Sequence, residues 1–308
     1  MMIVCAGQSL IDCIITENGS MDVADDIVLS PGGEAFNEAC VFAALGDEVY
    51  LSSAIGDDHA GSILKTEALQ RGIHIFNDGY SGRTPVSLLT VDSTGNRKSK
   101  VSKVHDLTGF TPTLPTDKKI ACVSMGSLFR PPFLTPEACY TFAEKAKSSG
   151  AILLADTKMP KGTDPKLSDY ADTLALLDFI TPNEQESEHY TGYNDPEKAA
   201  RVFHSLGVQN VIIKLSDHGC YISPQQEEAF YLPAYKVDVV DGIGAGDTFA
   251  AGLLHSLIAG KSLKEAAVFA SACAALCVGS RGAVSAIHSP EQVEEFLSNQ
   301  RTACSKVI

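Results

Sequence analysis

The chain alternates short apolar runs with longer segments in which apolar residues recur every three or four positions. The short runs predict buried strands, and the longer segments predict amphipathic helices. The predicted strands are residues 3–6, 49–55, 120–125, 152–155, 179–181 and 211–215. The predicted helices are residues 37–45, 62–71, 136–148, 184–191, 196–206 and 246–259. This alternation indicates an α/β fold with a mostly parallel central sheet.

Two segments, residues 12–30 and 84–107, interrupt the alternation with β character and no helical period. Within the second, runs at 86–91 and 97–104 flank a turn-rich stretch at 92–96, which predicts a hairpin. We expect these two segments to form a small β lid over a site at the strand ends. The alternative is a set of extra edge strands. The predicted main domain comprises residues 1–11, 31–83 and 108–308.

Composition and charge restrict the class of protein. Apolar residues make up 44% and charged residues 20% of 308 residues, as in ordinary globular proteins. The net charge is −14 without a Lys/Arg cluster, which argues against a nucleic-acid partner. No apolar run reaches the ~18 residues of a membrane span, and the first six residues do not resemble a signal peptide. Nine cysteines without a C-x-x-C pair predict free thiols in the reducing cytoplasm.

The stretch from 241 to 247 carries the strongest chemical signal. Small residues at Gly244, Ala245 and Gly246 let backbone N–H groups crowd around an anion at the start of a predicted helix. Asp247 follows directly, where a carboxylate can take a proton from a hydroxyl as negative charge develops beside it. This arrangement suits phosphoryl transfer.

A second glycine motif precedes a predicted helix near the N-terminus. Paired Gly32 and Gly33 allow a ligand to approach the backbone closely, and Asn37 offers an amide to a hydroxyl. The alternative for this motif is a tight turn with a helix cap. Asp12 follows the first predicted strand, where it either binds sugar hydroxyls or is an ordinary turn residue.

Two further motifs follow predicted strands in the second half of the chain. Asn183 and Glu186 either orient hydrated Mg²⁺ or are a favourable start to a helix. The residues after the 211–215 strand either line a nucleotide base and ribose or form a plain β-turn. The nucleotide interpretation involves Lys214, Ser216 and Gly219.

Together, these motifs resemble the PfkB, or ribokinase-like, carbohydrate kinase family. The family's Gly-Gly-x-x-x-Asn, Asn-x-x-Glu and Asp-Thr-x-Gly-Ala-Gly-Asp patterns match 32–37, 183–186 and 241–247, in that order. The agreement in order and spacing extends over nearly the whole chain. The resemblance implies a three-layer α/β/α fold with a small β lid. It also implies ATP and Mg²⁺ as cofactors and, in some members, K⁺.

The resemblance assigns roles residue by residue. Asp247 would be the general base, and the N–H groups of Gly244, Ala245 and Gly246 would form the anion hole. The sugar would be held by Asp12, Gly32, Gly33 and Asn37, and the nucleotide by Asn183, Lys214, Ser216, Gly219, Gly244 and Gly246. Glu186 would hold Mg²⁺ through water. A monovalent cation would lie near Asp241, Ile243, Ser280 and Gly282.

Three departures from the family pattern leave the acceptor open. Gly242 replaces the usual Thr or Ser, and Glu34 stands where ribokinases carry Lys. The fructokinase-like Asp-x-Asn-x-Arg pattern is absent at 156–160, where Lys158 or Lys161 is either a phosphate contact or a solvated loop residue.

We expect a fructokinase-like or 2-keto-3-deoxygluconate kinase-like acceptor. The segment 125–130 favours the fructokinase-like side. A carboxylate bound by Arg97 and Arg130 would instead favour a sugar acid. A nucleoside ranks lower, because the lid has few aromatic residues for stacking a base.

Two other classes of function compete with a kinase. A dinucleotide-dependent oxidoreductase is disfavoured because residues 7–9, after the first strand, lack the G-x-G-x-x-G pattern. A non-catalytic sugar-binding relative would not need the carboxylate of Asp247. We also expect a homodimer formed through the lid.

Overall fold

The computed structural model describes residues 2–17, 24–76, 80–91, 97–102, 107, 110–160, 164–280, 282 and 284–305. The strands in these ranges are β1 (Met2–Gly7), β2 (Leu10–Glu17), β3 (Ala24–Gly32), β4 (Glu48–Ser53), β5 (His74–Phe76), β6 (Val86–Val91), β7 (Arg97–Val101), β8 (Ile120–Leu128), β9 (Ile152–Thr157), β10 (Phe179–Ile180), β11 (Asn210–Lys214), β12 (Cys220–Pro224) and β13 (Phe230–Leu232). The helices are α1 (Glu34–Ala44), α2 (His59–Gln70), α3 (Pro136–Ser148), α4 (Ala171–Leu174), α5 (Glu184–Thr191), α6 (Pro196–Ser205), α7 (Ala245–Ile258), α8 (Leu263–Val278) and α9 (Pro290–Ser305).

The central sheet has the strand order β13-β12-β11-β10-β9-β8-β1-β4-β5. The strands from β11 to β5 in this order pair in parallel, and β12 and β13 are added antiparallel at one edge. The carboxyl ends of the parallel strands therefore lie along one edge of the sheet. Ligands of open α/β sheets bind at that edge.

Helices cover both faces of the central sheet. In β1, Ile3 and Cys5 belong to the core cluster that includes α1, α7 and α8, whereas Val4 and Ala6 belong to the cluster that includes α3 and α6. This alternation follows from the two-residue period of a strand. It produces two cores and three layers, which confirms the predicted α/β/α fold.

A second, four-stranded sheet has the order β3-β2-β6-β7. The pairs β2–β3 and β6–β7 are antiparallel, and β2–β6 is parallel. The segments with β character therefore form a separate lid sheet, and the alternative of extra edge strands on the central sheet is wrong. The predicted turn at 92–96 lies outside the described residues, and the proposed domain boundaries stay predictions. The homodimer also stays a prediction, which light scattering would test.

Helix α1 begins at Glu34, three residues before the predicted start. Gly33 precedes it with φ 94°, a conformation that glycine adopts without strain. Asn37 therefore lies one turn inside the helix instead of at its start. The sequence pattern also missed α8, which is rich in Ala and Cys and buried around most of its circumference, so no single apolar stripe marks it.

Two further predictions concern the cysteines and the membrane. The described cysteines are free thiols, and most of them are buried. Among the residues that the structure describes, no helix combines the length and apolar character needed to cross a bilayer.

Glu38 is a carboxyl group buried in α1, with 0% of the residue exposed. Within the described structure neither of its oxygens has a well-formed hydrogen bond, although the Ser124 hydroxyl approaches them. Burial raises the pKa of Glu38 well above its ordinary value, and the nearby charges of Asp247 and Asp156 raise it further. The folded protein therefore favours the protonated form of this group.

Replacing Glu38 with glutamine should stabilise the fold at pH 8 by about 1–3 kcal/mol, because the wild type must bind a proton at this site on folding and the neutral amide need not. A raised folded-state pKa means that the wild type loses stability as pH rises above the ordinary Glu value of about 4.3. The two proteins should therefore be similarly stable at pH 4. Urea unfolding at both pH values measures the difference, with Glu294→Gln, at an exposed position of α9, as control. A Glu38→Gln variant no more stable than wild type at pH 8 would contradict this prediction.

Candidate active site

A cleft of about 1370 Å³ lies at the carboxyl ends of the central strands, with Ser87 and Val101 of the lid sheet in its wall. It brings together most of the residues predicted from the sequence. The predicted residues that line it are Asp12, Gly33, Asn37, Asn183, Glu186, Lys214, Ser216, Gly219, Ile243, Gly244, Ala245, Gly246 and Asp247.

Asp247 lies in the first turn of α7 and accepts a hydrogen bond of 2.7 Å from the amide of Asn37. Burial raises the pKa of Asp247 to about 6, with the charge of Glu34 adding to the rise, whereas Lys158 and the Asn37 bond oppose it. The carboxylate is therefore ionised above about pH 6. In that state it can accept a proton from a hydroxyl in the cleft.

The N-terminus of α7 forms one wall of the cleft. Gly244 precedes the helix in the left-handed region, with φ 79°, and turns the chain so that the first helical N–H groups start at Ala245. A Cβ on Gly246 would lie 3.0 Å from Nζ of Lys214. The helix terminus and this ammonium group thus converge, which favours binding of a negatively charged group.

Lys214 is held by the carboxylate of Asp156, which was not among the predicted site residues. Its Nζ donates to Oδ1 of Asp156 at 2.7 Å, and the Thr181 hydroxyl donates to the same oxygen at 2.7 Å. Asp156 is the penultimate residue of β9, beside the strand β10 that leads to Thr181. The signal that was available in the sequence is an acidic residue at the end of an apolar strand.

Asn183 and Glu186 form a capping box at the start of α5. The Asn183 side chain accepts from the Glu186 N–H at 2.9 Å, and Glu186 Oε2 accepts from the Asn183 N–H at 3.0 Å. The Thr157 hydroxyl donates to the same Glu186 oxygen at 2.9 Å. The helix-start interpretation is therefore observed. Burial and the charge of Asp156 raise the pKa of Glu186, so a cation would be favourable beside this carboxyl pair.

On the lid side, Gly32 and Gly33 make room for their neighbours. A Cβ on Gly32 would lie 2.5 Å from Oδ2 of Asp12, and one on Gly33 would lie 2.6 Å from the carbonyl oxygen of Gln8. Burial raises the pKa of Asp12, against a hydrogen bond from Ser87. Arg97 begins β7, but its side chain lies outside the described residues.

Asp241 contacts both chain segments of the predicted monovalent-cation site, the one at Ile243 and the one at Gly282. Its carboxylate accepts from the N–H groups of Ile243 at 3.0 Å and Gly282 at 3.4 Å. The Ser280 hydroxyl donates to the carbonyl of Leu276. A Cβ on Gly242 would meet no atom within 4 Å, so lack of space does not explain the missing Thr or Ser.

Sequence reasoning missed an ion pair across the cleft. Nζ of Lys158 lies 3.0 Å from Oε1 of Glu34, and the Ser127 hydroxyl donates to Oε2 of Glu34 at 2.6 Å. Both residues of this pair lie at positions where the chain departs from the family pattern. Lys161 lies outside the described residues.

Comparison with known proteins agrees with this geometry. A ribokinase of Haemophilus influenzae is 26% identical over 289 residues, covering 92% of each chain. A 2-dehydro-3-deoxygluconokinase of Bacillus subtilis is 27% identical, covering 97% of this chain and 96% of the relative. Aminoimidazole riboside kinase from Salmonella enterica, solved with aminoimidazole riboside and an ATP analogue, superimposes with a TM-score of 0.77 at 26% identity. That match covers 96% of this chain and 100% of the other.

These relatives share one class of reaction and differ in acceptor. Residues 1–290 match the profile of the pfkB family carbohydrate kinases. The match covers most of the chain and includes every motif that lines the cleft. The chain therefore belongs to the pfkB family and is a carbohydrate kinase.

Proposed function

We propose that this kinase transfers the γ-phosphoryl group of ATP to a hydroxyl of a small sugar or sugar acid, with Asp247 as the general base. The observation that carries the proposal is the 2.7 Å contact between Asn37 and Asp247. It joins the helix behind the sugar-side glycine turn to the helix at the anion site. A hydroxyl bound near Asn37 would therefore meet both a base and a phosphoryl group.

The residues divide the reaction between them. The N–H groups of Gly244, Ala245 and Gly246, with Lys214 beside them, would bind phosphate oxygens. Asp247 would take the hydroxyl proton while the hydroxyl oxygen bonds to phosphorus and ADP departs. Asp12, Gly33 and Asn37 would orient the acceptor. Asn183, Ser216 and Gly219 would line the nucleotide end of the cleft.

A bound Mg²⁺ would supply charge neutralisation for the triphosphate. The described residues contain no group of three His, Cys, Asp or Glu placed to hold a metal ion, so water and phosphate oxygens would complete its coordination. Glu186, with Asp156 behind it, fits this role through the shared negative charge. The predicted K⁺ site lies near Asp241, Ile243, Ser280 and Gly282. The Asp241 carboxylate accepts hydrogen bonds from backbone N–H groups there, and its negative charge would favour the cation.

The wall of the cleft bears on the acceptor. Arg130 lines it, and its Nε donates to the carbonyl of Met159. Asp12, Asn37 and Gln8 add acceptors and donors for several hydroxyls. This polar lining supports a small polyhydroxylated acceptor, and Arg130 supports its carboxylate form.

The proposal is tested by a coupled assay of ATP consumption with ketoses, aldoses, keto-deoxy acids and nucleosides. We expect turnover with a ketose, an aldose or a keto-deoxy acid. One of these acceptors should have a kcat/KM well above the others. Calorimetry with the same compounds measures binding separately. Binding of a sugar without ATP consumption would instead identify a non-catalytic relative.

Turnover should fall as pH decreases through about 6. Because Asp247 acts in its ionised form and its pKa is raised to about 6, protonation removes the base below that value. When kcat/KM is measured from pH 5 to 8, it should therefore decline on the acidic side of about pH 6. A rate that stays constant down to pH 5 would contradict Asp247 as the base.

A further inference from the structure

We propose that Lys158 is a further catalytic residue, whose ammonium group contacts the phosphoryl group during transfer and is held in place by Glu34 and Ser127. The inference rests on the proposed phosphoryl transfer at Asp247. Lys158 follows the end of β9 and lines the cleft.

The ion pair is anchored on both sides of the Glu34 carboxylate. One oxygen lies 3.0 Å from Nζ of Lys158, and the other accepts from the Ser127 hydroxyl at 2.6 Å. Burial opposes ionisation of Glu34, but the charge of Lys158 and the Ser127 bond outweigh it and lower the pKa to about 2. The side chain of Lys158 is 32% exposed and that of Glu34 is 17% exposed. The more exposed partner of the pair is therefore the cation, and both partners line the cleft.

Hydrogen bonds also hold the backbone around the Glu34–Lys158 ion pair. The N–H of Lys158 donates to the carbonyl of Leu128 at 3.0 Å, and its carbonyl accepts from the Tyr190 hydroxyl at 2.5 Å. Ser127 has φ 75°, in the left-handed region that non-glycine residues seldom occupy. A strained residue that anchors a charged side chain in a cleft is typical of functional sites.

The Glu34–Lys158 ion pair is tied to the same helix that holds Asp247. Glu34 is the first residue of α1, and Asn37, one turn later, holds Asp247. The charge of Lys158 is the main influence that lowers the pKa of Asp247 against its burial. The neighbouring carboxylates raise the pKa of Lys158 above its ordinary value despite burial, so it stays charged.

The second cation of the cleft, Lys214, lies at a different place. Lys214 is bound to Asp156 and lies against Gly246 at the start of α7, on the phosphate side. Lys158 is bound to Glu34, which begins α1 one turn before Asn37, on the acceptor side. A phosphoryl group that moves from ATP to the acceptor therefore leaves one cation and approaches the other.

The chemistry of the step is balanced without proton transfer to lysine. The acceptor oxygen forms a bond to the γ-phosphorus as the bond from that phosphorus to the bridging oxygen breaks, and the electron pair leaves with ADP. The hydroxyl proton goes to Asp247. Lys158 keeps its protons and donates N–H groups to the non-bridging oxygens, whose charge would otherwise be repelled by the nearby carboxylates.

The test compares Lys158→Met with the double variant Glu34→Gln/Lys158→Met. The single variant leaves Glu34 buried without its cation and should be less stable, whereas the double variant removes that charge and should recover stability. Both should lower kcat by about 10²–10³-fold, the scale for loss of one donor to a developing charge, with acceptor KM within about threefold. Lys65→Met removes an exposed lysine paired with Asp57 and serves as control. A double variant with kcat within threefold of wild type would overturn the proposal.

The pH profile gives a readout that a structural role would not move in this way. Titratable and polar groups from three sides act on Asp247. Helix α1 contributes Asn37, Glu34 and Glu38, and α8 contributes Cys277. Asp156 comes from β9, and Lys158 comes from the segment directly after β9. Of these, Lys158 and Glu34 act on Asp247 with opposite sign. The acidic limb of kcat/KM should move to higher pH in Lys158→Met and to lower pH in Glu34→Gln. Limbs that move together in one direction would overturn the assignment.

A binding experiment separates this inference from the proposed function. ADP with aluminium fluoride mimics the phosphoryl group in transfer, so wild type should bind ADP more tightly when fluoride and aluminium are present. The double variant should lose that gain and keep its affinity for ADP alone. If the wild type phosphorylates no tested acceptor but the double variant still loses the gain in ADP affinity, the proposed function is overturned and the role of Lys158 is kept. An active wild type with an unchanged gain in the variant would overturn only the role of Lys158.

Discussion

Replacing Asp247 with asparagine should lower kcat by about 10²–10⁴-fold and leave acceptor affinity nearly unchanged. The amide has the size of the carboxylate and keeps an oxygen that can accept from Asn37, whose bond measures 2.7 Å. It cannot accept a proton at neutral pH. Steady-state kinetics gives kcat, and calorimetry gives the dissociation constant of the acceptor.

The matched control is Asp169→Asn, which changes an exposed carboxylate outside the cleft. It should leave kcat unchanged. Near-normal turnover of the Asp247→Asn variant would reject this residue as the base. A large loss of acceptor affinity with little change in kcat would assign it to binding instead.

Replacing Lys214 with methionine should lower the free energy of unfolding by about 3–5 kcal/mol, because it leaves a buried charge without its partner. Asp156 is 2% exposed, and Lys214 lies 2.7 Å from its Oδ1. The Thr181 hydroxyl remains as a donor but carries no charge. Urea unfolding without ligands measures the loss.

The control is Lys147→Met, which removes an ion pair of the same N–O distance between more exposed side chains. Lys147 also lies 2.7 Å from its carboxylate partner, Asp178, but the two side chains are 33% and 27% exposed. Solvent screens such a pair, so its loss should cost at most about 1 kcal/mol. Equal losses in the two variants would contradict the argument that burial sets the cost.

The central fold could be predicted because its signals are local. Strands such as β1 and β8 are continuous apolar runs, since both faces of the sheet are covered by helices. Helices α3 and α5 begin and end where capping and periodicity placed them. Helix α8 escaped prediction because burial around most of its surface removes the polar face on which the helical period depends.

The members of the site could be predicted, but not their pairing. Motif order placed Asn37 and Asp247 in one site, whereas the bond between them depends on the packing of α1 against α7. The Asp156–Lys214 pair depends on β9, β10 and β11 being neighbours in the sheet. The Glu34–Lys158 pair was missed because each residue was compared with the family pattern separately. Only their proximity across the cleft shows that the two departures offset each other's charge.

The Asn37–Asp247 bond also bears on how the enzyme is made. The two residues are separated by 210 positions. At the usual rate of about 5–20 residues per second, a ribosome needs about 10–40 s to travel from one codon to the other. During that interval the sugar-side turn and α1 exist without Asp247, the proposed base. A nascent chain released in that interval would carry the acceptor-side turn without the carboxylate that we propose as the base, so it would not phosphorylate an acceptor.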